Sequence, residues 1–381
     1  MDQVCLPDPT YYSQAVKHSE WRDAMDQEFN ALLQNQTWSF VPTASNINII
    51  GSSKTDVSLF HYSVDSDFMF ILIYVDDILV MGSSQGLVSS LLSKLSNAFK
   101  IKDLGELGFF LGIETVKYSG SLLFSQHRYM ADILKRAGMS DCKPLSTPIS
   151  LFRSASVQAD PYDDPTRYMS IAGALQYLTV TRPDLFFAVN HLCQHMHVPT
   201  DQHWEQLKCV LRYVKGTLSY GLRIRPSASR ELHAFSNSDW AGCPEDHKST
   251  SGFAVFLGSN LISWVCKKQR TVARSSIEVE YKALADVCAE VTWVLSLLRE
   301  FRITDVSVPK LWCDNLGATY MCANPIFHAR TKHVEIDYHF VRDKVDSGEI
   351  QVNFISTKDQ LADIFTKALP GLKFVFLRDK L

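Results

Sequence analysis

A chain of 381 residues with 46% hydrophobic residues is long enough for two or three domains with their own cores, which excludes global disorder. The net charge of -3, from 38 basic and 41 acidic residues, gives the whole chain no basic character, so any nucleic-acid contact must come from a local groove. Nine cysteines without a Cys-x-x-Cys pair argue against a disulfide framework or a cysteine-based zinc module and for a reducing, intracellular setting, cytoplasm or nucleus. The first residues, MDQVCLPDPTYY, lack the basic and apolar regions of a signal peptide, and the longest apolar run is too short to span a bilayer, so no membrane partner is expected.

Residues 14–33 place Ala15, Trp21, Ala24, Met25, Phe29 and Leu32 at helical spacing. A polar stretch, Thr43 to Asp56, follows abruptly. Phe68 to Gly82, FMFILIYVDDILVMG, reads as two buried strands rich in β-branched and aromatic residues around Asp76-Asp77. Gln85–Phe99 is an amphipathic helix, Phe109–Val116 and Ser121–Ser125 are strands joined at Ser119-Gly120, and Arg128–Gly138 is a short helix closed by glycine. Residues 139–166 carry Pro144, Pro148, Pro161 and Pro165 and read as a linker. Helices are expected at 166–180, 184–197 and 202–216, then a strand at Gly221–Arg225 and a spacer at Pro226–Ser229. Strands near 232–236, 252–257 and 260–266 precede a long helix at 276–300, a strand at Lys310–Cys313, helices at 315–323 and 333–346, a strand at 350–355 and a helix at 359–369. Strands followed by alternating helix and strand predict a mixed sheet with helices packed on it.

Two adjacent carboxylates between apolar strands repel each other and are costly to desolvate. A divalent cation relieves both problems, and a hairpin tip presenting Asp76 and Asp77 suits phosphoryl transfer with paired metals. The alternative is an ordinary hairpin whose turn is Asp-Asp, a poor sequence for the favoured two-residue turns.

In the last domain Asp239, Glu278, Asp314 and Asp363 sit at element ends. Each has a structural explanation: Ser275-Ser276-Ile277-Glu278 has capping-box spacing, Asp314 suits an N-cap, and Asp363 lies one turn into a helix. Together they can converge at one sheet end and hold two metal ions for phosphodiester hydrolysis. The segment Lys267-Lys268-Gln269-Arg270, with Arg274 nearby, can contact phosphates or can simply be a solvated strand end.

The stretches WRDAMDQEFNALLQNQTWSFVP, YVDDILV, KDLGELGFFLGIE, GALQYLTVTRPDLFFAV, HWEQLKCVLRYVKGT, DWAGCPEDHKSTSGFAVFLGSNLISW, LWCDNLGA and DQLADIFTKALP resemble the polymerase of Ty1/copia-type retrotransposons from about Tyr11 onward. The resemblance implies an α/β fold: a reverse-transcriptase remnant at 1–56, a truncated palm at 57–138, a linker and helical thumb or connection at 139–229, and an RNase H-like domain at 230–381. It implies Mg²⁺ as cofactor, an RNA template or an RNA–DNA hybrid as partner, Asp76 and Asp77 as palm carboxylates, and Glu278, Asp314 and Asp363 as RNase H ligands. Two departures count against activity. The block that normally separates segments like NQTWSFVP and SSKTDVSLF, with the fingers and a further catalytic aspartate, is missing. The family's Ser-Asp-Ala-Asp-Trp reads Ser236-Asn237-Ser238-Asp239-Trp240, so a ligand carboxylate has become the neutral Asn237. The expectation is a degenerate polymerase fragment without DNA synthesis. Residual Mg²⁺-dependent RNase H activity and a non-catalytic nucleic-acid-binding module are the alternatives.

Overall fold

The computed structural model describes residues 18–34, 51–64, 67–75, 77–99, 101–149, 160–323 and 335–381. The first helix, α1, runs Ser19–Gln34. Four antiparallel strands follow in the order β1 (Gly51–Ser52), β2 (Leu59–Val64), β3 (Asp67–Tyr74) and β4 (Asp77–Gly82). The two apolar runs around the acidic pair are therefore β3 and β4, paired from Met69–Gly82 to Tyr74–Asp77. They are less buried than their composition suggests. Met69 and Ile71 are buried while Ile73 on the same face is exposed, so cover of that face stops short of the hairpin tip; Tyr74, Val75, Ile78 and Met81 are exposed as well. Among the described residues β4 is an edge strand of this sheet.

Helix α2 (Gln85–Ala98) is capped by Ser84 and leads to β5 (Phe109–Phe110), β6 (Ile113–Tyr118) and β7 (Ser121–Ser125). Then come α3 (His127–Arg136), α4 (Pro165–Leu178), a 3-10 turn at Pro183–Leu185, α5 (Phe186–Cys193), α6 (Asp201–Gly216) and β8 (Leu222–Ile224). Asp164 and Pro165 start α4 in the usual way, a side-chain cap followed by a residue with no N–H to satisfy. β8 closes back on β7, Phe124 opposite Leu222. The strands at 109–125 thus join a sheet with a strand from beyond the helices, across the expected division at 138/139.

The last sheet has the order β11-β10-β9-β12-β13, from β9 (Leu232–Asp239), β10 (Thr250–Leu257), β11 (Asn260–Lys268), β12 (Lys310–Cys313) and β13 (Gln351–Phe354). β10 is antiparallel to both neighbours, while β9, β12 and β13 are parallel. Between these strands lie α7 (Ser276–Glu300), α8 (Leu316–Ala323) and α9 (Glu335–Asp346). The period of two in β10 divides the core. Phe253 and Val255 face a cluster built with α7, α8 and α9. Ala254 and Phe256 face a second cluster that contains Met130, Leu175, Leu192, Leu211 and Phe374. The helical segment and the last sheet therefore share one core rather than meeting at a linker.

The helix expected at 359–369 is instead a 3-10 turn at Leu361–Phe365, followed by α10 (Gly371–Arg378). Gln360 caps the turn, its side chain accepting from Ala362 N and donating to Ser236 O at 2.9 Å, and Pro370 starts the helix. The turn lies directly on β10 because residue 252 has no side chain. A Cβ there would sit 2.5 Å from Phe365 Cβ and 3.0 Å from Val265 O. Gly252→Ala is therefore expected to lower stability by about 1–3 kcal/mol, the usual range for overpacking, as read by urea unfolding.

Candidate active site

β9 carries the chain through Ser236, Asn237 and Ser238, with Asn237 in its interior facing the 3-10 turn. Asn237 is 2% exposed, and its Nδ2 donates to Asp363 Oδ1 at 2.8 Å and to Thr366 Oγ1 at 2.5 Å. Asp363 is fully buried, yet two ammonium groups reach it: Lys367 Nζ lies 2.7 Å from Oδ1 and Lys373 Nζ 2.6 Å from Oδ2. A buried carboxylate is tolerated only when paired and hydrogen-bonded, and here both oxygens are engaged by donors.

Helix α7 supplies the next carboxylate, and it is Glu280 rather than Glu278. Glu280 Oε1 accepts from Ser238 N at 3.0 Å, and its Oε2 lies 3.9 Å from Cys313 Sγ. Burial, then the nearby Asp314 charge, pushes the Glu280 carboxyl up to about 8. Glu278 is turned away. Its side chain accepts from Arg274 N at 2.9 Å and pairs with Lys282 at 2.8 Å, and its own N–H is capped by Ser275. Only half of the predicted capping box forms, because the Glu278 side chain bonds Arg274 N instead of the Ser275 N–H, and these contacts hold it outside the acidic group. Glu280 carried a sequence signal: Leu284 and Val287 follow it by four and seven residues, so a charged side chain sits on the buried stripe.

Asp314 follows β12 and is free of the capping duty expected of it, because Asn315 Oδ1 takes the Ala318 N–H at 3.0 Å. Burial raises its carboxyl above the usual range, opposed by a hydrogen bond with Thr357 and supported by the Asp363 charge. Asn237, Glu280, Asp314 and Asp363 thus converge at the carboxyl ends of β9 and β12, joined by Lys367 and Lys373, which the sequence reading did not single out. Asp239 lies beyond the group: a Cβ on Gly242 would be 1.8 Å from its Oδ2, so its carboxylate folds over that turn.

At the other predicted site, Asp77 opens β4 and is half-buried, while Asp76 lies outside the described residues. Lys267, Arg270 and Arg274 are exposed near the start of α7. Lys268 is committed internally, 3.1 Å from Asp246 and 3.1 Å from Cys243 Sγ, and so is not a free phosphate contact.

A cleft of about 460 Å³ runs beside the acidic group, between the helical segment and the β9–β10 turn. Thr366, Lys367 and Asp239 line one part of it, and His191, His195, His203 and Glu245 another. Burial, then the neighbouring His195, holds His203 down at about 4.

The family described as reverse transcriptase (RNA-dependent DNA polymerase) matches residues 43–151. The retrovirus-related Pol polyprotein from transposon RE2 of Arabidopsis thaliana is 45% identical over 324 residues, which are 85% of this chain and 22% of the relative. The chain therefore spans about a fifth of that polyprotein's length. An uncharacterized mitochondrial protein of Arabidopsis thaliana is 52% identical over 225 residues, 59% of this chain and 94% of its own. Among solved structures, RNase H1 from the halophilic archaeon Halobacterium salinarum NRC-1 aligns with 36% of this chain and 94% of its own at 11% identity and a TM-score of 0.27. Among the described residues no helix is long and apolar enough to cross a membrane.

Proposed function

Because this chain belongs to the copia-type retrotransposon Pol family, we propose that it is a reverse transcriptase–RNase H region that has lost both DNA synthesis and efficient cleavage of RNA–DNA hybrids. Its mixed α/β fold ends in an RNase H-like domain. On this reading residues 57–138 are a palm portion, 139–229 a thumb or connection, and Asp76 and Asp77 the remaining palm carboxylates. Two aspartates without a third ligand from the missing block cannot hold two metals for in-line transfer.

The observation that carries the proposal is the Asn237–Asp363 hydrogen bond. An amide that donates N–H to the neighbouring carboxylate presents a hydrogen, not a lone pair, where a cation would need a ligand. With Lys367 and Lys373 also on Asp363, the negative charge is matched by protein donors. Mg²⁺, the cofactor the family implies, does not fit the group as arranged, since it requires oxygen ligands in near-octahedral geometry. Glu280, Asp314 and Asp363 are the acidic remnant of the site, and an RNA template or RNA–DNA hybrid is the partner it evolved to meet. Arg270, Arg274 and Lys267 remain exposed for phosphate contacts.

The test is a labelled RNA–DNA hybrid with Mg²⁺. The natural protein is expected to leave it intact. Asn237→Asp replaces the donor by a carboxylate and is expected to raise cleavage by more than the roughly 10–100-fold that changes behind a metal ligand typically produce. Cleavage by the natural protein would overturn the proposal. Silence from both proteins would place the lesion beyond residue 237.

A further inference from the structure

We propose that His195, His203 and Glu245 form a binding site for a transition cation of the zinc class, separate from the carboxylates around Asp363. The three residues each bring one ligand atom to within 4.8 Å of the others. They come from three different places: His195 just beyond α5, His203 in the first turn of α6, and Glu245 in the turn between β9 and β10. All three line the same cleft. Such convergence from distant points of the chain is unlike a run of charges on one helix face, which sequence proximity alone can produce.

The chemistry of the set selects the ion. Two imidazoles and one carboxylate suit Zn²⁺ and its neighbours, whereas Mg²⁺ and Ca²⁺ prefer oxygen alone. Three protein ligands leave the fourth tetrahedral position open towards the cleft. Zn–N distances of about 2.0–2.1 Å put two ligand nitrogens roughly 3.3 Å apart. The two rings already stack with centroids 3.8 Å apart at 16°. Closure therefore asks for a turn of one ring and a small approach of Glu245, which is exposed and sits in a turn.

The helix cap behind His203 supplies the orienting contact. Thr200 N donates to His203 Nδ1 at 3.1 Å, and Thr200 Oγ1 lies 3.0 Å from the same atom. With Nδ1 accepting, the neutral ring carries its proton on Nε2. Coordination through Nε2 shifts that proton to Nδ1, whose N–H then donates to Thr200 Oγ1, while the Thr200 N–H gives up its bond to the ring. The ring stays neutral overall, no proton is lost from His203, and the Thr200 hydroxyl takes the outer position that a carboxylate, carbonyl or water usually fills behind a metal-bound histidine. The ion would tie the α5–α6 connection to the β9–β10 turn, and so fasten the helical segment to the last sheet.

The probe is Zn²⁺ itself, titrated into the full chain at neutral pH in the presence of excess Mg²⁺, with stoichiometry read by equilibrium dialysis and metal analysis. One zinc per chain is expected, with a Tm that rises with zinc concentration. Glu245→Gln, an exposed substitution that leaves the core intact, is expected to weaken binding by about tenfold or more, and the double variant His195→Ala, Glu245→Gln to abolish it. Asn237→Asp should keep the site, which separates it from the acidic group. Cobalt substitution should give a spectrum without thiolate charge transfer. No zinc bound, equal affinity in the double variant, or a thiolate band showing the cysteines as ligands would each overturn the proposal.

Discussion

Asp184→Ala is expected to lower the unfolding free energy by about 3–5 kcal/mol, the loss typical of removing one partner from a buried ion pair. Arg182 is 1% exposed and holds Asp184 with two parallel bonds, Nε to Oδ1 at 2.9 Å and Nη2 to Oδ2 at 2.8 Å. Tyr213 donates its hydroxyl to Asp184 Oδ2 at 2.7 Å. Of the other guanidinium hydrogens, two go to Thr217 O and Oγ1 at 3.1 and 2.8 Å and one to Met130 Sδ at 3.3 Å. Burial works against the Asp184 charge, but the guanidinium outweighs it and holds the carboxyl below the usual range. This network sits in the 3-10 turn between α4 and α5 and fixes where α6 ends, so the core shared with the last sheet depends on it. Alanine at 184 leaves a buried guanidinium without its counter-charge. Replacing both members by apolar residues, Arg182→Met with Asp184→Leu, should recover most of the loss, because no charge then remains to be desolvated. Urea unfolding of the three proteins measures this. A single variant within 1 kcal/mol of the natural protein would show that the network contributes little.

Much of the framework follows from periodicity. The stripe Ile277, Tyr281, Leu284, Cys288, Val291 of α7, and the apolar runs of β10 and β12, are long or regular enough to be read directly. Asn237, Asp314 and Asp363 were legible as candidates because the family words around them fix their register, and all three meet in space. Two kinds of information were hidden. The choice between Glu278 and Glu280 depends on a rotation of about 200° on the helix, and both residues are buried, so the resemblance pointed to Glu278 where the hydrogen bonds place Glu280 beside the other acidic groups. Lys367 and Lys373 reach Asp363 only because residues 361–365 form a tight turn instead of the expected helix. That turn rests on Gly252 in another element, a long-range dependence that no local pattern carries. The same holds for β8, whose pairing with β7 spans the helical segment. The docking of the first sheet was equally invisible: Glu300 Oε1, at the end of α7, accepts from Lys54 N, Thr55 N and Thr55 Oγ1 at 3.1, 3.1 and 2.6 Å.

Glu280→Gln is expected to stabilise the protein above neutral pH and to flatten its pH dependence. Burial, then Asp314, raises this carboxyl to about 8 from its ordinary 4.5, with Asp363 adding to the rise and Ser238 N–H and Lys367 opposing it. Between those two values the folded chain retains a proton that the unfolded chain has released. Stability is therefore fullest below about 4.5 and falls as pH rises, by up to about 1.4 kcal/mol per unit, until the slope vanishes above 8. Glutamine occupies the same volume, and its Oε1 can still accept from Ser238 N–H, but it has no charge to desolvate. The gain should thus be small at pH 5 and reach several kcal/mol by pH 9. Asp314, also raised by burial, leaves a smaller slope of the same sign in the variant. Glu278→Gln is the control, since that carboxylate is held by Lys282 outside the group, and the steep slope should survive it. Parallel stability profiles for the natural protein and Glu280→Gln from pH 5 to 9 would mean that Glu280 is ionised in the folded state. The group would then carry a net negative charge that Lys367 and Lys373 do not balance, and the case against a bound cation would fail with it.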